Sequence, residues 1–301
     1  MLNKIKKIAD KIGNTKTVRL YNIEKKYNLS IHLYAKIEST NLTGSIKDRP
    51  VFEIVKNMIE NKMITDQSIL IEATSGNVGI SLSYIGKELG IPVVIVMPSS
   101  MSKQRREMIS NNGAKLVLID GTMTDCVNYV NELVTNDSRY LCLKQFENPL
   151  CVKAHYEHTG VEIFNDIKDI DCLVCGIGTS GTIMGCSKYL KGQNPNIKVI
   201  GVEPFSSPFI NQHIAGKHKI EGIGAGFIPL LYESKYVDEV EEVKDEDAYE
   251  KAKELFKEEN IFCGISSGAA LAGALQYVRK NNEIKNVVII LPDLGDRYTW
   301  D

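Results

Sequence analysis

The 301-residue chain is long enough for a large core and for two domains around one cleft. With 43% hydrophobic and 25% charged residues it has the composition of a soluble globular protein. A net charge of −2 gives no electrostatic reason to expect nucleic acid or an anionic membrane as a partner.

No apolar run approaches the roughly 18 residues of a membrane span. The opening segment, MLNKIKKIADKIG, alternates charged with apolar residues and lacks the continuous apolar stretch of a secretory signal. Seven cysteines, an odd number scattered from Cys126 to Cys263, do not form a disulfide framework, and a cytoplasmic location is expected.

Apolar, β-branched runs at 69–71, 93–97, 116–119, 173–175, 199–202 and 287–291 predict buried strands. Between them lie stripes of helical period: Val51, Ile54, Val55, Met58 and Ile59, then Val78, Leu82, Ile85 and Leu89. Ile183, Cys186 and Leu190 make a third stripe, and Leu271, Leu275 and Val278 a fourth. The alternation predicts an α/β fold of mostly parallel sheets flanked by helices. Cys172 and Cys175 have metal or redox spacing, but they sit in the apolar run DCLVCG with no second pair nearby; a structural role is expected. His155 and His158 lie one helical turn apart without a third ligand, so no metal is expected.

Four polar, glycine-rich turns fall where a strand ends or a helix begins, the place where open α/β sheets bind ligands. The first runs from Thr43 to Pro50 (TGSIKDRP). Pro50 suits a first helical turn, and positive helix-end amides disfavour Lys47 as an ammonium, as Schiff-base chemistry needs. A surface lysine is the bland alternative. The second turn, Thr74 to Gly79, is a ready anion site or a simple N-cap.

The third, Gly176 to Thr182 (GIGTSGT), could cradle a phosphate. It also matches G-x-G-x-x-G, with Glu203 following at a dinucleotide-like distance, so an NAD-binding domain competes here. The fourth, Gly264 to Ala270, offers Ser266 to a ligand nitrogen or merely caps a helix.

Taken in order from about Asn14 to Tyr298, the segments resemble the cysteine synthase (O-acetylserine sulfhydrylase) and cystathionine β-synthase family of fold-type II pyridoxal 5'-phosphate (PLP) enzymes. GSIKDR at 44–49 resembles its PLP-lysine segment, and EATSGNVG at 72–79 its substrate-carboxylate loop. MPSSMSKQRR at 97–106 and QFENP at 145–149 are similar to two further blocks. GIGTSGT at 176–182 matches the phosphate cradle, GIGAGFIP at 222–229 the rim loop, and GISSGAA at 264–270 the pyridine-contact turn.

The resemblance implies roles. Lys47 would bind PLP covalently and later carry the α-proton. Asn77 would bond the cofactor's phenolic oxygen, and Gly178, Thr179, Ser180, Gly181 and Thr182 its phosphate. Ser266 would meet the pyridine nitrogen. Thr74, Ser75, Gly76, Asn77, Gln145 and the rim glycine Gly222 would bind the substrate. A serine hydroxyl cannot hold the pyridine protonated as a carboxylate would, which favours β-elimination over transamination.

The implied architecture is tryptophan synthase β-like: a large PLP-binding domain of 1–39 and 147–301 and a small mobile domain of 40–146, usually in a homodimer. The implied reaction is β-replacement through an α-aminoacrylate, with O-acetylserine and sulfide giving L-cysteine. Val78, His158 and Val161 depart from the family pattern, as do STNLTG at 39–44 and LPDLGDRY at 291–298. They open an alternative in which L-cysteine is the donor, hydrogen sulfide leaves, and a second thiol gives lanthionine or cystathionine. A silent homologue is a further alternative, against which the intact Lys47, Asn77 and Ser266 stand. Met101, Arg105 and Arg106 cover a helix face in the simpler reading, or gate entry.

Overall fold

Ten strands, described in a computed structural model at residues 2–74, 76–101, 103–281 and 283–300, form two sheets. In chain order they are β1 (Thr17–Arg19), β2 (His32–Ile37), β3 (Ile69–Ala73), β4 (Val93–Pro98) and β5 (Lys115–Ile119). There follow β6 (Tyr140–Cys142), β7 (Cys172–Gly176), β8 (Lys198–Pro204), β9 (Glu239–Val243) and β10 (Asn286–Leu291). The larger sheet has the order β1-β2-β10-β7-β8-β9 and the smaller β5-β4-β3-β6. All the described pairings are parallel except β1 with β2.

β4 (VVIVMP) and β10 (NVVIIL) are buried at every residue, because helices cover both faces of a parallel sheet. Along β7 the side chains alternate, Cys172 and Val174 entering one core and Leu173 and Cys175 another. The two cysteines therefore face opposite sides of the sheet, where they cannot share a metal. Ile8, from helix Leu2–Ala9, packs with Leu82 and Ile85 in the core beside the smaller sheet. No described helix is long and apolar enough to cross a membrane.

Each sheet reverses its winding once. In the larger sheet β7, β8 and β9 progress one way while β10 lies on the other side of β7. In the smaller, β3, β4 and β5 progress one way while β6 lies on the other side of β3. Loops diverge at such a reversal and leave a crevice at the carboxyl ends of the strands. The segments after β7 and β10 flank one crevice, and those after β3 and β6 flank the other.

A buried ion cluster braces the entry to helix Asp48–Glu60. The Arg49 guanidinium donates to both Glu38 oxygens at 2.7 and 2.8 Å and to both Glu162 oxygens at 2.7 and 2.8 Å. Lys36 adds an ion pair to Glu162 at 3.0 Å, and the Thr15 hydroxyl donates to Glu38 at 2.6 Å. Burial alone would raise the Glu162 carboxyl; its bonds to Arg49, then the Lys36 charge, outweigh that and hold it at about 2. Its folded value lies below the ordinary one of 4.5. The stabilisation is therefore present above the ordinary value and lost as pH falls toward about 2.

Arg49→Ala, which strands two carboxylates, should cost about 3–5 kcal/mol in denaturant unfolding at neutral pH. Glu162→Gln should flatten the acid limb of stability in the same assay.

Candidate active site

Lys47 directly precedes helix Asp48–Glu60, with Pro50 in its first turn as the sequence predicts. Asp48 folds the loop before it: its carboxylate accepts the Thr43 amide and the Thr43 hydroxyl, both at 2.6 Å. The loop is also laid against the end of β10. The Ile46 amide donates to the Pro292 carbonyl at 2.7 Å, and the Leu294 amide to the Gly44 carbonyl at 3.1 Å.

One cavity gathers most of the expected residues. Lys47, Asn77 and Ser266 line it together with Gly178, Thr179, Ser180, Thr182 and Gly222. Gly181 begins helix Gly181–Gln193 directly behind this turn. Thr74 and Gly76 adjoin Asn77 in the chain but stand outside the described lining, the Thr74 hydroxyl accepting the Gly76 amide at 3.3 Å. Gln145 also stands outside it. Its side chain donates to Glu72 at 3.4 Å across the crevice between β3 and β6. Ser75 lies outside the described residues.

Lys47 retains some exposure to the cavity, and the surrounding protein atoms lower its pKa below the ordinary lysine range. Burial is the largest cause, where the sequence points to helix-end amides; the neighbouring Cys151, Cys175 and Asp293 oppose it. Burial likewise pushes Glu72 up to about 7, against its bonds from Cys142, Lys144 and Gln145.

The turn after β7 has the form of an anion cradle. Ser180 holds a left-handed φ of +69°, which costs a non-glycine residue on the order of 1–3 kcal/mol. Its buried hydroxyl has no hydrogen-bond partner among the described residues. A Cβ on Gly178 would stand 2.3 Å from the Gly222 carbonyl, so only glycine lets the rim loop close on the turn. Strained backbone, an unpaired hydroxyl and free amides at a helix start fit a phosphate group. Behind it, Thr182 meets His155 Nε2 at 3.2 Å, and burial holds that imidazole well below its ordinary pKa and hence neutral.

Sequence reasoning noticed LPDLGDRY but gave its side chains no place in the site. Asp293 and Tyr298 both line the cavity. The Asn77 amide nitrogen donates to Asp293 Oδ2 at 2.8 Å and the Tyr298 hydroxyl to the same atom at 2.6 Å. An acid directly after a buried parallel strand was the available signal, since ligands bind at that edge. Arg105 neither covers only its own helix nor points to bulk water. It pairs with Glu221 beside the rim glycine, and its guanidinium carbon stands 5.6 Å from the Tyr298 ring centroid.

A lysine in the cavity wall, an amide and an anion cradle around one switch-point cavity are what a fold-type II PLP enzyme must provide. The family model for pyridoxal-phosphate dependent enzymes matches residues 8–293. A cysteine synthase of Buchnera aphidicola subsp. Schizaphis graminum is 44% identical over 305 aligned residues, covering 95% of this chain and 92% of that protein. Among solved structures, a cysteine synthase (OASS) from Entamoeba histolytica is similar at a TM-score of 0.92 and 37% identity, over 97% of this chain and 88% of that one. A hydrogen sulfide-producing enzyme from Fusobacterium nucleatum is similar at 0.92 and 36%, over 97% and 99%.

The chain belongs to the pyridoxal-phosphate dependent enzyme family, and PLP is its cofactor. The NAD-binding alternative falls with this assignment. The carboxylate of Glu203 is engaged otherwise, accepting the Ile210 and Asn211 amides at 2.8 and 3.0 Å.

Gly178→Ala should weaken PLP binding by about 5- to 150-fold, as overpacking of about 1–3 kcal/mol implies. Titration of the apoprotein followed by cofactor absorbance measures it, with far-ultraviolet circular dichroism unchanged.

Proposed function

We propose that the chain is a cysteine synthase-like enzyme that replaces the β-substituent of a small amino acid, taking O-acetylserine and sulfide to L-cysteine. The observation that carries this reading is the 44% identity to a cysteine synthase along 95% of the chain. Bound PLP supplies the electron sink for the Cα–H bond and the departing β-substituent. Lys47 Nζ, whose pKa burial lowers, would hold the resting cofactor and, once released, would serve as the base for the α-proton.

Residues 178–182 hold the phosphate through helix-start amides and hydroxyls. Asn77 would donate to the phenolic oxygen. Ser266 would meet the pyridine nitrogen with a hydroxyl, which cannot hold that nitrogen protonated as a carboxylate would and so favours β-elimination over transamination. Thr74, Ser75 and Gly76 take the substrate carboxylate with Gln145, which Glu72 anchors, and Gly222 bounds the opposite rim.

Residues 40–146 form the small domain, helix Leu2–Ala9 moving with it through Ile8. Its closure on the remainder of 1–39 and on 147–301 excludes water. The enzyme works as a homodimer in the cytoplasm, where its seven free thiols remain reduced.

A second reading keeps the mechanism and makes L-cysteine the donor. The similarity to a hydrogen sulfide-producing enzyme over 99% of that chain favours it. Purified enzyme given L-cysteine alone separates the two. Sulfide with lanthionine supports cysteine as donor; no sulfide, together with cysteine formed from O-acetylserine and sulfide, supports the first.

In either case Lys47→Ala should lower turnover by at least about 10²–10⁴-fold while the thermal unfolding of the apoprotein stays in place. Substantial residual turnover would overturn the assignment of Lys47.

A further inference from the structure

The Asn77 side chain is held from both ends by opposite charges. Its amide nitrogen donates to Asp293 Oδ2 at 2.8 Å, and Arg297 Nη1 donates to its carbonyl oxygen. Both charged residues are buried, Asp293 with 1% and Arg297 with 4% of its surface exposed. An asparagine amide is nearly symmetric in shape, so sterics alone leave its two orientations close in energy. An anion at one end and a cation at the other remove that ambiguity, because the flipped amide would set its oxygen against a carboxylate and its NH₂ against a guanidinium. One Nδ2 proton goes to Asp293; the second remains for the cavity that Asn77 lines.

We propose that Asp293 and Arg297 are positioning residues that lock the Asn77 amide with its free N–H directed at the phenolic oxygen of PLP. The inference rests on the proposed contact between Asn77 and that oxygen. Arg297 ties the same lock to the lysine loop by donating through Nη2 to the Thr43 carbonyl. The Tyr298 hydroxyl, at 2.6 Å, steadies the carboxylate that receives Asn77. Gly264 leaves room for the arrangement, since a Cβ there would stand 2.1 Å from Asp293 Oδ1. Burial raises the Asp293 carboxyl above its ordinary range, and Tyr298, Asn77, Arg297 and Arg105 oppose that rise. Arg297 is not part of the cavity lining. Its replacement therefore reaches the cavity through Asn77, the lining side chain it bonds, or through the lysine loop it grips at Thr43.

The visible band of the lysine-bound cofactor reports the hydrogen bond to its phenolic oxygen. PLP-loaded wild type, Asn77→Ala, Asp293→Asn, Arg297→Lys and the double variant Asn77→Ala/Asp293→Asn are compared by absorbance, cofactor content, thermal unfolding, kcat and KM. We expect Asn77→Ala to redistribute the band, and Asp293→Asn and Arg297→Lys to redistribute it in the same direction at full cofactor content. The double variant should add nothing to Asn77→Ala, as required when one residue acts through the other. kcat should fall about 10- to 150-fold in Asp293→Asn, the range for a lost hydrogen bond to a charged group, with KM little changed.

A wild-type band in both Asp293→Asn and Arg297→Lys, or additive shifts in the double variant, would overturn the lock while leaving the Asn77 contact standing. A wild-type band in Asn77→Ala would overturn the contact and the lock together. Should Asp293→Asn fail to fold, Arg297→Lys, which keeps the charge and loses the planar fork, decides the question by the same spectral criterion.

Discussion

The position of Lys47 depends on the charge two residues after it. Arg49 is buried against two carboxylates, each gripped by two of its nitrogens at 2.7–2.8 Å. One carboxylate belongs to the turn Glu38–Thr40 that follows β2, the other to helix Gly160–Asp166 beyond the smaller sheet's segment of chain. The first turn of helix Asp48–Glu60 is thereby fixed to two segments distant from each other in the chain. A planar guanidinium meets that geometry; a lysine ammonium would not. The helix start carries Lys47 with it, so the reactive amine is placed by an ion cluster that does not touch the cavity. Removing water from such a cluster is costly, and excellent pairing is the condition on which it survives.

A second constraint comes from the end of β10. The chain after Leu291 runs antiparallel to the lysine loop, with Ser45 opposite Asp293, and also bridges Cys263 to Leu294. The lysine loop, the Gly264 turn and the residue paired with Asn77 thus share one backbone support. β10 is buried along its whole length and hydrogen-bonded to a parallel strand on each side, so the support is anchored in the stiffest part of the larger sheet. Asn77 itself stands at the start of a helix that follows β3 of the smaller sheet. Its bonds to Asp293 and Arg297, and the Arg105–Glu221 pair, span the two sheets with polar contacts.

The buried parallel strands were legible because their apolar runs are continuous, and the four turns because glycine, hydroxyl and lysine residues cluster between those runs. β2 was not. Its sequence HLYAKI places Lys36 in mid-strand, and that side chain is fully buried because Glu162 and the Thr15 carbonyl receive its ammonium. No local pattern reveals a partner so far along the chain. β9, EVEEV, is an edge strand rich in charge, with Glu241 buried against the Lys280 ammonium, so its composition hides it. The candidate site divides in the same way. Lys47, Ser266 and the phosphate turn announced themselves through neighbours in sequence. Asp293 acquires its place only when the reversal at β7 and β10 brings it to Asn77, and the unpaired hydroxyl and left-handed backbone of Ser180 exist only in the folded turn.

The thiols beside the amine bear on the proposed chemistry. Cys175 lines the cavity, and Cys151 is close enough for its charge to register at Lys47. A site that adds sulfide or a thiol to an electrophile would be disarmed by a nucleophilic cysteine of its own. Burial pushes both Cys151 and Cys175 up to about 12, more than the nearby lysine pulls them down. The thiolate is the reactive form, so near neutral pH these side chains stay protonated and only an incoming thiol or sulfide presents the nucleophile. The same burial that lowers the Lys47 pKa thus raises those of the cysteines around it. Burial disfavours the charged form of the amine and of both thiols, and each thiol is left inert.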